Sequence, residues 1–328
     1  MKYILGVDAG NSKTIALVAR LNGQIVGWGR SGCGDIYNAG SAQQALQNID
    51  AAIVAALQEA NCSAKDIVSA AFSMAGADWP EDFALIEEAL KKRQYAKRIT
   101  VVNDAIGALK AGAVDDWGVA VAIGTGAAIG ARSHLGQTWH SSFWQEGGGG
   151  RALGLSALRA IYQSELGIAG NTSLTARILA FYQVQTVEQV LHLFTKRDGG
   201  RLTSASPLAR TVLDAAEEGD ATARQIVQAE GTMLGDYALA AARKVGIATT
   251  PFPLVLAGSV FRHESEIMTT AMVERINSQC PGITVLRSEL EPSAGALVIA
   301  REATGGKVDR KIRAKLKLTS PPPGFFAT

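Results

Sequence analysis

The chain has only three cysteines in 328 residues, Cys33, Cys62 and Cys280. They are too few, too far apart and odd in number, so a disulfide framework is excluded. No Cys-x-x-Cys pair is present, so no thiolate metal cluster is expected within one chain, and a reducing compartment is. Aromatic residues are 6% of the chain and do not interleave with basic runs, which argues against a nucleic-acid surface. A net charge of +2 supplies no global field toward nucleic acid or membrane. No segment approaches about eighteen uninterrupted apolar residues. Asp8 breaks the first apolar run too early for a secretory signal. The expectation is a soluble, cytosolic protein with neither nucleic-acid nor membrane partners.

Apolar residues make up 47% and charged residues 19%, enough for two domains with sizeable cores. The chain opens on an apolar run, Tyr3 to Val7, that ends in Asp8. Gly10-Asn11-Ser12-Lys13-Thr14 follows, and a second apolar run starts at Ile15. Two strands joined by a glycine turn fit this pattern. The turn reads either as the polar tip of a hairpin or as an anion site built from backbone N–H groups, hydroxyls and Lys13. Asp8, at a strand end, suits a cation held directly or through water.

Residues 24–28 read as a third strand and 29–40 as a loop carrying Asp35, Tyr37 and Asn38. Ser41 with Gln44 opens a helix on which Leu46, Ile49, Ile53 and Leu57 recur at helical spacing. Residues 67–73 form a buried-type strand ending at Ala75-Gly76-Ala77-Asp78. Asp78, Pro80 and Glu81 start a helix that runs to about Arg93. Residues 98–102 are a strand running into Asn103-Asp104, and 105–111 a short helix. From Gly118 the pattern restarts, with strands at 119–123, 129–133 and 138–143 around the turn Gly124-Thr125-Gly126. A repeated unit about a hundred residues long implies two related lobes. Residues 144–154 read as a glycine-rich loop with Glu146, and helices fill 155 to about 245. A strand at 253–257 ends in Gly258-Ser259. Helix 264–280, strand 283–286 and helix 292–301 follow. The tail from Gly305, with six Lys/Arg and three prolines, reads as a solvated or loosely packed end.

Four predicted strand ends therefore carry small or acidic residues: 8–14, Asp104, 124–126 and Gly258-Ser259. Ligands in open α/β sheets sit beyond such carboxyl ends. Neither common phosphate fingerprint is met, because no glycine precedes Lys13 and none lies three residues beyond Gly126. On these motifs, residues 1–303 resemble the actin-like ATPase superfamily. Within it they resemble the BadF/BadG/BcrA/BcrD type, whose sugar-kinase members include N-acetylglucosamine kinase and glucosamine kinase. Gly6-Val7-Asp8-Ala9-Gly10-Asn11-Ser12-Lys13-Thr14 resembles the first phosphate motif. Val102-Asn103-Asp104-Ala105 resembles the motif of the catalytic aspartate, and Ile123-Gly124-Thr125-Gly126 the second phosphate motif. Leu256-Ala257-Gly258-Ser259-Val260 resembles the adenosine motif, and Pro292-Ser293-Ala294-Gly295-Ala296 the closing helix.

The resemblance implies an α/β fold of two ribonuclease H-like lobes with ATP in the cleft between them. The first lobe would span 1–115, completed by a helix at about 292–303. The second would span 116–291 with a helical insertion, leaving 305–328 as a basic tail. It implies an ATP- and Mg²⁺-dependent amino-sugar kinase, commonly a homodimer. Asp104 would be the base that takes the hydroxyl proton, although a helix N-cap is its ordinary alternative. Asp8 would hold Mg²⁺ through water. Gly10, Asn11, Ser12, Lys13 and Thr14 would meet the phosphates together with Gly124, Thr125 and Gly126. Gly258 and Ser259 would lie against adenosine, where a side chain would block the base. Asp35 or Asn38, with Gly76, Asp104, Thr125 and Glu146, would meet the sugar. The chain departs from the amino-sugar kinases at Ala128, where they carry Ser or Asn, and at Trp144-Gln145-Glu146-Gly147-Gly148-Gly149, where they carry Gly-Asp-Glu-Gly-Ser. Two other functions share the fold. One is an ATPase that activates a 2-hydroxyacyl-CoA dehydratase through an iron–sulfur cluster held by cysteines between subunits. The other is a sugar sensor without turnover, against which the pair Asp8 and Asp104 argues.

Overall fold

The computed structural model describes residues 1–145, 147–197, 199–200 and 202–326. In the first half, β1 (Tyr3–Ala9), β2 (Thr14–Arg20) and β3 (Ile25–Ser31) form an antiparallel meander, with Ala9 opposite Thr14 at the turn. Helix α1 (Ala42–Glu59) leads to β4 (Ile67–Met74), which lies parallel to β1. Helix α2 (Pro80–Arg93) leads to β5 (Ile99–Asn103), parallel to β4, and α3 (Asp104–Gly112) follows without a loop. The second half repeats the plan. Strands β6 (Gly118–Ile123), β7 (Ala127–Arg132) and β8 (Thr138–His140) form the meander. Five helices intervene: α4 (Gly149–Glu165), α5 (Leu174–Tyr182), α6 (Val187–Thr195), α7 (Ala209–Glu217) and α8 (Ala221–Lys244). Then come β9 (Pro253–Ala257), α9 (Ile267–Asn277), β10 (Thr284–Arg287), α10 (Pro292–Glu302) and α11 (Arg310–Leu318). The described strands order as β3-β2-β1-β4-β5 and β8-β7-β6-β9-β10, the same topology twice. No helix among the described residues is long and apolar enough to cross a membrane.

Each sheet is covered on both faces, as parallel strands require. On one face of the first sheet Leu5, Val7 and Phe72 meet Ile49 and Ile53 of α1 and Ile86 and Leu90 of α2. On the other, Ile4, Ile15 and Leu17 meet Leu297 and Ile299 of α10. Helix α3 sits between the two sheets. Its Ala108 and Leu109 pack on Ala120, Val255 and Ala257 of the second sheet. Its other face crosses α10 so closely that a Cβ at Gly295 would stand 2.0 Å from the Gly107 carbonyl oxygen.

Three expectations are corrected. The tail is a packed element: Asp309 caps α11 by accepting from the Ile312 N–H at 2.9 Å, and Leu316 is buried against the first sheet. Arg313 donates to the carbonyls of Lys110, Ala111 and Ala113 at the end of α3. Its basic residues hide one apolar face, and a charge count alone cannot show that. Helix α4 begins at Gly149 rather than after residue 154. Its first N–H groups find tertiary acceptors, Glu230 at 2.6 Å and the carbonyls of Gly124 and Thr125 at 2.9 Å, which override glycine's poor helix propensity. The strand expected to reach residue 143 stops at His140, and a 3₁₀ turn follows at Ser142–Trp144.

A methyl group at Gly295 has nowhere to go without moving α3. Gly295→Ala is expected to lower stability by about 1–3 kcal/mol through overpacking, read as a lower thermal midpoint and urea midpoint than the parent.

Candidate active site

The two turns that end β1 and β6 face each other across a cavity of about 340 Å³. In the first, the Gly10 N–H donates to the Lys13 carbonyl at 2.9 Å, and the Gly34 N–H donates to the Gly10 carbonyl at 3.0 Å. In the second, the Gly124 N–H donates to the Gly126 carbonyl at 2.9 Å. Neither Gly124 nor Gly126 has an atom within 4 Å of where a Cβ would stand, so both open toward the cavity. Ser12 and Thr125 join hydroxyls across the cleft at 2.9 Å. Lys13 Nζ donates to the Phe326 carbonyl, which brings the chain's tail to the rim. Asn11 lines the same wall, and Gly258 and Ser259 lie at its far end with Arg262 and Glu291, which pair at 3.0 Å.

Two sequence assignments change. Thr14 is fully buried and spends its hydroxyl on the Gly32 carbonyl at 2.9 Å, so it faces away from the cavity. Gly258 has φ +93°, and a Cβ there would stand 2.2 Å from the Ile123 carbonyl oxygen. The neighbouring strand alone therefore requires glycine at this position, which also lines the cavity. Glu146 lies outside the described residues. Gly76 does not line the cavity but backs the Asp35 carboxyl.

The acids collect on the cavity floor. Asp104 is the first residue of α3, and the cap it was expected to supply comes from Asn103, whose Oδ1 accepts from the Ala105 N–H at 3.1 Å. Asp104 thus turns toward the cavity beside Asp8. Burial first, and the charge of Asp78 second, push the Asp104 carboxyl up to about 7. Burial, then the charge of Asp104, push Asp8 to about 7 as well, with Lys13 opposing. Asp78 is pushed up to about 6, mainly by burial. A cation near Asp8 would relieve this crowding. One carboxylate completed by phosphate oxygens and water suits Mg²⁺. Among the described residues no three His, Cys, Asp or Glu side chains gather on one metal position.

Asp35 is buried and ties its own loop together, accepting from the Tyr37 N–H at 2.9 Å and from Asn38 Nδ2 at 2.6 Å. Both Asp35 and Asn38 line the cavity. The sequence did not single out Tyr37, Ser142 or Phe143, which close this side. Ser142 Oγ donates to Asp78 Oδ1 at 2.5 Å, and Phe143 meets the Tyr37 ring edge-on at 5.1 Å. Asp78 is available for this because Asp82, not Asp78, reaches back to the start of α2 and accepts from the Trp79 N–H at 2.8 Å. The only signal was an acid that did not have to be the helix cap.

Residues 5–300 match the BadF/BadG/BcrA/BcrD ATPase family. The chain belongs to this family. It is 25% identical over 305 residues to N-acetylmuramic acid/N-acetylglucosamine kinase of Clostridium acetobutylicum, covering 92% of this chain and 99% of the relative. It is 22% identical over 315 residues to N-acetyl-D-glucosamine kinase of Dictyostelium discoideum, covering 91% and 98%. Its backbone is similar to the crystal structure of a protein assigned as an N-acetylglucosamine kinase from Chromobacterium violaceum. The TM-score is 0.68 at 18% identity, over 92% of this chain and 99% of that one. The two-lobed actin-like ATPase fold expected from the motifs is the observed one, and ATP is the nucleotide of the BadF/BadG/BcrA/BcrD ATPase family. Of the three cysteines, Cys280 is buried in the second lobe's core with its Sγ 3.3 Å from the Thr250 carbonyl, and Cys33 and Cys62 are partly exposed in the first half of the chain.

The raised carboxyls make stability depend on pH in a definite direction. Between the ordinary carboxylate pKa of about 4 and about 7, the folded state holds protons at Asp8 and Asp104 that the unfolded state has released. Stability is therefore lost as pH rises through that window. In metal-free buffer without nucleotide, the thermal midpoint of Asp104→Asn is expected to exceed the parent's, by a small margin at pH 5 and a clearly larger one at pH 8.

Proposed function

We propose that this chain transfers the γ-phosphoryl group of ATP to a hydroxyl of an amino sugar of the N-acetylglucosamine kind, with Asp104 as general base. The observation that carries the reading is the Asp104 carboxyl at the cavity floor, between two facing glycine turns and held near neutral pKa. A base with a pKa near the working pH combines availability with driving force. Support for the sugar class comes from two relatives of nearly full-length coverage, both kinases of N-acetylated amino sugars.

In this reading, backbone N–H groups of residues 10–13 and 124–126, with the hydroxyls of Ser12 and Thr125, hold the phosphates. Asp35 and Asn38 position the acceptor, and Glu146 keeps the acceptor role assigned from sequence. As the sugar oxygen bonds to the γ-phosphorus and the bond to the β-bridging oxygen breaks, the Asp104 carboxylate takes the hydroxyl proton. The products are ADP and a sugar phosphate. Asp8 would hold Mg²⁺ through water, and that ion would supply positive charge against the phosphate oxygens. Residues 1–115 with the helix at about 292–303, and residues 116–291, would form the two jaws. A cytoplasmic homodimer completes the proposal.

Purified protein with Mg-ATP and a panel of N-acetylglucosamine, N-acetylmuramic acid, glucosamine and glucose tests it by ADP release. At least one amino sugar should raise ADP release well above the sugar-free rate. Asp104→Asn should then lower kcat by about 10²- to 10⁴-fold. Because the base acts only when deprotonated, kcat/KM should fall as pH drops below about 7. A pH-independent rate, or an Asp104→Asn enzyme as fast as the parent, refutes the assignment.

A further inference from the structure

A second cavity, of about 620 Å³, opens between the β5 edge of the first sheet and the β8 edge of the second. It shares Asp78, Asn103, Ser142 and Phe143 with the active-site cavity, so the two are contiguous through the acceptor side. Its size lies within the about 300–1,000 Å³ usual for small-molecule sites.

The outer rim is aromatic. Trp79, Phe143 and Trp144 are 42%, 57% and 65% exposed, and Trp79 stacks on Phe143 with centroids 6.2 Å apart and planes at 6°. Large rings held open around one cavity mark a binding surface rather than a core. The inner wall is polar and matched in charge. Lys110 pairs with Asp116 and with Glu302, and Arg132 pairs with Asp116 at 3.3 Å. An anion would therefore find no uncommitted positive charge in this pair of cations. His140 adds a directional group. Ser142 donates its hydroxyl proton to Asp78, so the 2.5 Å contact between Ser142 Oγ and His140 Nδ1 requires the proton on Nδ1. Burial keeps that imidazole neutral, and its Nε2 is then a lone-pair acceptor. A pyranose ring has the complementary chemistry: an apolar C–H face for aromatic rings, hydroxyls for a neutral acceptor, and no charge.

We infer that this cavity is a second glycosyl subsite and that the preferred acceptor is an amino sugar carrying a further neutral sugar ring. The inference rests on the kinase reading and narrows it to a class of acceptor. The first ring would present its hydroxyl to Asp104, and the linked ring would lie across Trp79 and Phe143 toward His140.

The test compares N-acetylglucosamine with its β-1,4-linked disaccharide as acceptors for the full chain. The disaccharide should have a kcat/KM at least about tenfold higher. Trp79→Ala should abolish that advantage and leave turnover of the monosaccharide unchanged, and Trp144→Ala should reduce the advantage. A disaccharide no better than the monosaccharide overturns the inference and leaves the kinase reading intact. Equal losses on both acceptors in Trp79→Ala also overturn it, because they mark a structural role. If neither sugar is phosphorylated, calorimetric titration of the same two sugars decides the subsite, and the kinase reading falls only when no sugar of the full panel raises ADP release. Tighter disaccharide binding that is lost in Trp79→Ala upholds the subsite; equal or absent binding overturns it.

Discussion

A close crossing of two helices sets where the chemistry of this molecule can happen. Helix α3 begins with Asp104 and lies wedged between the two sheets. Ala108 and Leu109 seat it on the second sheet, and Gly107 lets it meet Gly295 of α10 almost backbone to backbone. Small residues at both surfaces make this possible, since any side chain at the crossing would push α3 away from one sheet. The first turn of α3 is thereby fixed at the mouth of the cleft, and the carboxyl of Asp104 with it. α11 strengthens the same arrangement from the far end, because Arg313 satisfies three carbonyls where α3 ends. One helix thus connects the packing of both lobes to a single acid.

That acid does not sit alone, and the electrostatics follow from the topology. β1 and β5 both end at the cleft, so Asp8 and Asp104 are brought side by side, with Asp78 from the end of β4 close behind. Burial raises all three; the charge of Asp104 adds to it at Asp8, that of Asp78 at Asp104, and those of Asp35 and Asp82 at Asp78. Such a floor is poorly suited to standing empty of cations and well suited to a substrate that arrives with one. It also separates roles. Asp8 is partly offset by Lys13, whereas Asp104 faces only further acids and backbone dipoles. Both carboxyls are pushed to about 7, and only at Asp8 does a cation oppose the rise.

The strand-and-helix order was legible because both sheets follow local rules. Strand β9 begins at Pro253 and ends at Ala257, and α10 starts at Pro292, as the apolar run and the proline predict. The two facing glycine turns were legible because Gly10 and Gly124–Gly126 each follow an apolar strand closely. What sequence could not show are the choices made by tertiary contact. Helix α4 starts on two glycines because Glu230, eighty-one residues away, accepts from the Gly149 N–H. Thr14 spends its hydroxyl on the Gly32 carbonyl, and Gly258 is held to glycine by the Ile123 carbonyl of β6. The acceptor side is hardest, since Asp35, Asp78 and Ser142 come from three loops with no common motif.

The tail shows how a local reading of charge fails and what replaces it. Its basic residues suggested solvent, yet Ile312 and Leu316, one helical turn apart, present an apolar stripe to the sheet that carries the first phosphate turn. Phe326 is buried, and its carbonyl accepts from Lys13, while Arg30 reaches the Phe325 carbonyl at 3.0 Å. Lys13 and Arg30 thus each reach a backbone carbonyl of the tail, and the charge of Lys13 also acts on Asp8. The tail therefore positions Lys13 at the rim of the turn at residues 10–13, above the raised carboxyls of Asp8 and Asp104, so a segment that local charge would assign to solvent helps shape the cavity.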